Sequence, residues 1–165
     1  MSKFQDKAIQ LLLDEIANED IYDLEKSVYK TERVLFLPEQ YRGIRNIRRQ
    51  DFYAELWGKN ASVPKRVCVE VKSGVSDLRS GCGLNFFEEY NFLMFEAGHS
   101  YWPIKMHHLK NLDEDIGILV IINDHLFCVR PAKNKRLSEP FKSFFKLDIG
   151  ETSQDVIEHI VNGTL

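Results

Sequence analysis

Cysteine is scarce in this 165-residue chain: Cys68, Cys82 and Cys128 are the three present, and they lie far apart. An odd, scattered set excludes a disulfide framework and offers no paired spacing for structural zinc. Cys68 and Cys128 fall in apolar, strand-like runs, where free thiols are expected to be buried. Long apolar runs are lacking too, since none approaches the ~18 residues a membrane span requires. No signal-peptide pattern opens the chain, so a reducing, cytoplasmic setting is expected, with no membrane partner. Net basic charge is also missing. The chain has 22 Lys and Arg against 25 Asp and Glu, a net charge of -3, so no global field draws in nucleic acid. Internal repeats and low-complexity segments are absent, which excludes a solenoid.

What is present is an ordinary globular composition, 44% hydrophobic and 28% charged. The length suggests one domain spanning residues 1–165. A chain of this size buries roughly 70% of its unfolded surface and needs no staple. The charges are unevenly placed. Arg42, Arg45, Arg48 and Arg49 follow one another without an acid between them. Arg130, Lys133, Lys135, Arg136, Lys142 and Lys146 share their stretch with a single acid, Glu139. Such zones bind phosphates on some acidic proteins and are plain solvated faces on others.

Periodicity organises the chain. Phe4, Ala8, Leu11, Leu12 and Ile16 keep helical spacing over residues 3–18, and Ser2 with Gln5 reads as a capping box. "RVLFLP" is a short strand ended by Pro38, and residues 19–32 read as irregular. "DFYAELW" (51–57) and "RVCVEVK" (66–72) read as a hairpin joined by a breaker-rich turn. Ser76 is a candidate cap for a turn or helix over "DLRSGC". "YNFLMFE", "DIGILVIIN" and "HLFCVRP" are strands, the last two joined by a turn at Asn123 and Asp124. "SYWPIKMHHLK" suits a short helix entered through Pro103. Phe141, Phe144 and Phe145 have helical spacing, and "SQDVIEHIVNG" closes the chain as a helix capped by Ser153 and stopped by Gly163. The order predicts an α/β (α+β) mixed sheet flanked by helices.

One strand carries chemistry. Val67, Val69 and Val71 alternate with Cys68, Glu70 and Lys72. Glu70 and Lys72 therefore share a face, about 7 Å apart, just before Ser73 and Gly74. Asp51 opens the preceding strand, and in a hairpin it lies beside Glu70. Two carboxylates beside a lysine fit a Mg²⁺ (or Mn²⁺) site for phosphodiester cleavage, because hard oxygens suit that ion. The Val71 carbonyl is a further candidate ligand, and Lys72 would orient water or neutralise phosphate charge. The plain alternative is an ion pair between Glu70 and Lys72.

Asp51, Glu70 and Lys72 read as D-x18-E-V-K, which resembles the signature of the PD-(D/E)XK nuclease superfamily. The longer "VEVKSGVSDLRSGCGLNFFEEYNFLMF" resembles its MmcB-like group of DNA-repair-associated and phage-related proteins. In that group, E-I/V-K-x-S/G-x-x-D-F/L precedes a polar stretch and an aromatic "YNY" strand. "DIGILVII" and "LFCVRPAKNKRL" match its next strand pair and basic tail. The first motif departs from the group, with Gln50-Asp51 standing where Pro or Ala precedes the Asp. The resemblance implies a restriction-endonuclease-like fold, a bacterial or phage-encoded origin and DNA as partner. It further implies a Mg²⁺-dependent DNA endonuclease or repair nuclease, or a catalytically silent nucleic-acid-binding accessory protein on the same fold. Homodimers are frequent among nucleases that cut both strands.

The superfamily often adds an acid from its first helix. Glu15 is the candidate here, against a solvated acid where the helix frays; Asp6 and Asp14 point elsewhere. Asp77 reads as a helix cap or a late ligand, and Glu55 as an ion-pairing residue. The DNA-binding candidates are Arg42, Arg45, Arg48, Arg49, Arg79, Lys133, Lys135 and Arg136, and Asn85 flanks the glycine-rich turn. His107 and His108 diverge by about 100° on a helix and form no common metal face. Trp57 and Trp102 read as core or edge packing rather than base-stacking platforms.

Overall fold

Burial on both faces distinguishes the middle of the sheet. In a computed structural model, residues 3–17, 31–41, 49–58, 65–80, 86, 88–134, 139–140 and 154–164 are described. Six strands form one sheet in chain order: β1 Thr31–Tyr41, β2 Arg49–Gly58, β3 Lys65–Val71, β4 Tyr90–Glu96, β5 Gly117–Ile122 and β6 His125–Arg130. The β1–β2, β2–β3 and β5–β6 pairs are antiparallel, whereas β3–β4 and β4–β5 are parallel. Parallel neighbours need crossovers, and these carry α2 (Val75–Arg79) and a 3₁₀ turn at Met106–Leu109. Two short strands, β7 Lys133–Asn134 and β8 Glu139–Pro140, pair separately.

Helices cover both faces, which makes the chain an α/β protein with a mixed sheet. On one face, Ala8, Ile9 and Leu12 of α1 (Lys3–Ala17) pack with Phe52, Val67, Val69, Val71, Phe92 and Met94. On the other, Val75 of α2 and Ile157 and Val161 of α3 (Gln154–Asn162) join Leu93, Phe95, Ile118 and Val120. Consecutive residues of β4 and β5 thus serve opposite cores, so these strands read as unbroken apolar runs. Cys68 and Cys128 are buried, and burial pushes the Cys128 thiol up to about 12. No helix among the described residues is long and apolar enough to cross a membrane.

Several local expectations need correction. Pro38 does not end its strand: β1 runs on to Tyr41. Among the described residues it is the edge strand, with one side without a ladder, where a residue lacking an N–H is tolerated. The helix expected at 100–110 shrinks to Met106–Leu109. Ser100 adopts φ 67°, and the carbonyl of Trp102 accepts the Val75 N–H, so this backbone docks on α2 instead of coiling. The β5–β6 turn follows expectation, with Asn123 and Asp124 both at positive φ (49° and 63°), as a two-residue hairpin requires. The 141–145 phenylalanines, Cys82, Asn85 and Ser153 lie outside the described residues, as do nearly all of 19–32.

Gly117 opens β5 because nothing larger fits. A Cβ there would stand 2.4 Å from Phe92 Cδ1 and 2.6 Å from the Ala132 backbone nitrogen. Phe92 is itself buried and has no room to retreat. Gly117→Ala is expected to destabilise the fold by about 1–3 kcal/mol through overpacking. A lower urea midpoint at unchanged m-value is the expected reading.

Candidate active site at the parting of β2 and β3

The site forms where two paired strands separate. β2 and β3 pair from Leu56↔Lys65 to Phe52↔Val69. One step further, Asp51 stands opposite Glu70, and directly opposed residues share a face. There a side chain replaces the ladder: the Val71 N–H donates to Asp51 Oδ2 at 2.8 Å. Gln5 Nε2, from α1, donates to Asp51 Oδ1 at 2.7 Å. Asp51 is thus fixed through both carboxyl oxygens.

Glu70 is 2% exposed, and its Oε1 is buried with no hydrogen-bond partner. Desolvation first, then the Asp51 charge and a hydrogen bond with that carboxyl, push Glu70 up to about 9. Burial also raises Asp51, opposed by the Val71 N–H, the Glu70 hydrogen bond and the charge of Lys72. Burial and the proximity of the two groups thus favour the protonated forms of this pair. Two carboxyls this close do not both ionise without a cation between them.

Lys72 follows β3, and its N–H still bonds the Met94 carbonyl at 2.9 Å, which extends the ladder by one residue. Its side chain is buried, with Nζ 4.0 Å from Asp77 Oδ1. Asp77 Oδ2 accepts from Ser73 N (2.9 Å) and Ser73 Oγ (3.3 Å). Asp77 sits inside the first turn of α2 and reaches back to the strand exit. It organises the turn and gives Lys72 a counter-charge. Ser76 is not the cap: α2 starts at Val75, after Gly74.

The donor set fits a hard cation. Glu70 Oε1 lacks a partner, the Asp51 carboxyl adjoins it, and the Val71 carbonyl leaves the strand on the same side as the N–H that Asp51 receives. No group of three His, Cys, Asp or Glu side chains suited to a metal occurs among the described residues. Mg²⁺ commonly uses only one or two carboxylates and keeps several waters.

Other sequence candidates are placed less centrally. Glu15 lies ten residues beyond Gln5, about 15 Å along the helix, and its side chain is outside the described residues. The α1 residue that reaches the site is Gln5, a polar side chain in the buried phase of Ala8, Ile9 and Leu12. That phase was the available signal. Asp6 and Asp14 are exposed, as expected. Lys133 donates its N–H to the Asp115 carbonyl, just before β5. This is the end of the parallel strands opposite to Glu70 and Lys72. Arg130 is committed to the Ile116 and Asp113 carbonyls. Arg42, Arg45, Arg48, Lys135, Arg136 and the side chains of Arg49, Glu55 and Trp57 lie outside the described residues.

Two readings around the 3₁₀ turn change. His107 and His108 do not diverge: their rings lie 3.9 Å apart, tilted by 42°. Trp102 is not packed away. It is 39% exposed, with the Arg79 guanidinium 4.7 Å from its ring centre.

No protein-family model matches the chain, and no curated protein matches it either. What the site can do is read from its own geometry.

Proposed function

We propose that this chain is a Mg²⁺-dependent nuclease of the PD-(D/E)XK type, on a restriction-endonuclease-like fold, hydrolysing phosphodiester bonds in DNA. One observation supports this above the rest: a buried carboxyl, a half-buried carboxyl and a buried lysine meet where β2 and β3 part, and one oxygen of the buried carboxyl has no partner. A buried orphan acceptor costs stability, about 1–3 kcal/mol, so a ligand for it is a physical expectation. Asp51, Glu70 and the Val71 carbonyl would hold Mg²⁺ or Mn²⁺, with Glu15 a more distant candidate. Bound Mg²⁺ polarises the phosphate and makes a water more acidic. Lys72 orients the attacking water or neutralises charge growing on the phosphate. Gln5 and the Val71 N–H keep Asp51 in place.

Arg42, Arg45, Arg48, Arg49, Arg79, Lys133, Lys135 and Arg136 would hold the DNA backbone, which positions a duplex without reading its sequence. A role in DNA repair or a phage, a cytoplasmic setting and a homodimer belong to the same proposal. The second reading is a catalytically silent nucleic-acid-binding protein. The burial of Glu70 favours it, because desolvation raises that carboxyl and a neutral carboxyl needs no cation.

Plasmid, single-stranded and branched DNA, each with Mg²⁺, Mn²⁺ or EDTA, test the proposal against Glu70→Ala and Lys72→Ala. Cleavage that needs the metal and falls at least about 100-fold in both variants is the expected result. Cleavage persisting in both would place the chemistry elsewhere. Binding without cleavage would support the silent reading.

A further inference from the structure

Beyond the carboxyl site, the largest exposed apolar side chains among the described residues are adjacent. Tyr101 is 94% exposed and Trp102 39%. Both belong to a loop pinned to the strand exit. The Val75 N–H donates to the Trp102 carbonyl at 3.0 Å. At Gly74 a Cβ would stand 2.6 Å from Ser100 Oγ and 3.1 Å from the Trp102 carbonyl. Gly74 is two residues past Lys72, at most about 7.6 Å along the chain. The loop that carries both rings is therefore held against the turn that follows Lys72.

A guanidinium and two imidazoles surround the indole. The Arg79 guanidinium lies over the indole, the His108 ring meets it edge-on at 6.4 Å, and the His107 ring lies 3.9 Å from that of His108, tilted by 42°. Burial first, then His107, Arg79 and Lys105, hold His108 below the usual imidazole range. Aromatic faces interleaved with cations suit unpaired bases whose phosphates run alongside, and stacking of this kind tolerates any sequence.

We infer that Tyr101 and Trp102, with Arg79, form a stacking platform for unpaired nucleobases of a single-stranded nucleic acid leading to the Asp51–Glu70–Lys72 site. This deepens the nuclease proposal by naming the substrate as single-stranded beside the cut. It adds two contact residues, Tyr101 and Trp102, of which sequence reading assigned Trp102 to packing.

Binding is measured by fluorescence anisotropy in EDTA, so it does not depend on cleavage. The probes are labelled oligo-dT, oligo-U and a duplex of equal length. The proteins are wild type, Tyr101→Ala, Trp102→Ala and Trp102→Phe. Each alanine variant is expected to lose between about fivefold and a hundredfold in single-strand affinity, with little change for duplex. Trp102→Phe, which keeps a ring, should restore most of the loss. Tyr101 is almost fully exposed, so its variant reports stacking without risk to the fold. Oligo-dT against oligo-U decides between DNA and RNA. Unchanged single-strand affinity in Tyr101→Ala and Trp102→Ala overturns the platform and leaves the patch to a protein partner. Equal losses on single strand and duplex overturn it as well. Loss of cleavage in Glu70→Ala with these affinities unchanged would separate the two proposals.

Discussion

Glu70→Gln is expected to make the metal-free protein more stable and to abolish the proposed cleavage. Glutamine keeps the shape, remains neutral at every pH and can donate an N–H toward Asp51. The wild-type carboxyl pays for its position. Its folded-state pKa of about 9 lies far above the ordinary 4.5. Between those values the unfolded chain releases the proton and the folded chain keeps it. The native state then binds more protons, so stability is full below the ordinary value and falls as pH rises. The slope is about 1.4 kcal/mol per pH unit, levelling off near the folded pKa. Asp51, also raised, acts in the same direction. Urea midpoints in EDTA at about pH 6 and about pH 8 check this. Wild type should lose stability between them, and Glu70→Gln should lose much less. A flat wild-type profile, or a variant weaker than wild type at the higher pH, would sink the idea.

Burial alone does not mark a functional group here. Cys128 is also buried and its thiol is pushed to about 12, yet among the described residues no charged side chain contributes to that shift. Glu70 differs because a second carboxyl and a lysine meet it, and one of its oxygens lacks a partner. A fold selected only for stability would place an apolar residue opposite Leu93. Local inconsistency of this kind is characteristic of functional sites, which give up stability for chemistry.

The strand core was legible because period-2 alternation in β3 and unbroken apolar runs in β4 and β5 depend only on which faces are buried. The pairing of Asp51 with Glu70 followed, since a short turn forces a hairpin and a hairpin fixes the register. Signals that depend on tertiary context failed. Pro38 could be read as a strand end only without knowing that β1 is an edge. Pro103 looked like a helix entry until the Trp102 carbonyl was claimed by Val75. Ser76 has cap chemistry, but the chain enters α2 one residue too early to use it. Gln5 reads in sequence only as half of a capping box with Ser2, which lies outside the described residues, and its bond to Asp51 depends on how α1 packs against the sheet. Trp102 shows the reverse failure: tryptophan is usually buried, but a loop docked through its backbone leaves the ring outside.

Lys72→Met is the second large effect, and it separates chemistry from fold. Methionine matches the length of the lysine stem and removes the charge. Asp77 loses its counter-charge, but its side chain is 41% exposed and water takes over, so the stability cost is small. Asp51 and Glu70 each lose a cation that favours their ionised forms. Cleavage should fall by roughly 10²–10⁴-fold, the range for a positioned proton-handling or charge-stabilising group. Arginine should not restore it, because a planar five-donor fork does not fit where a buried ammonium fits. Residues that act as one unit give non-additive losses, so Glu70→Gln combined with Lys72→Met should be about as slow as the slower single variant. Multiplying losses would mean that the lysine works independently of the carboxyls. Unchanged cleavage in Lys72→Met would reduce it to the plain partner of Asp77 and remove the reason to place water or phosphate beside it.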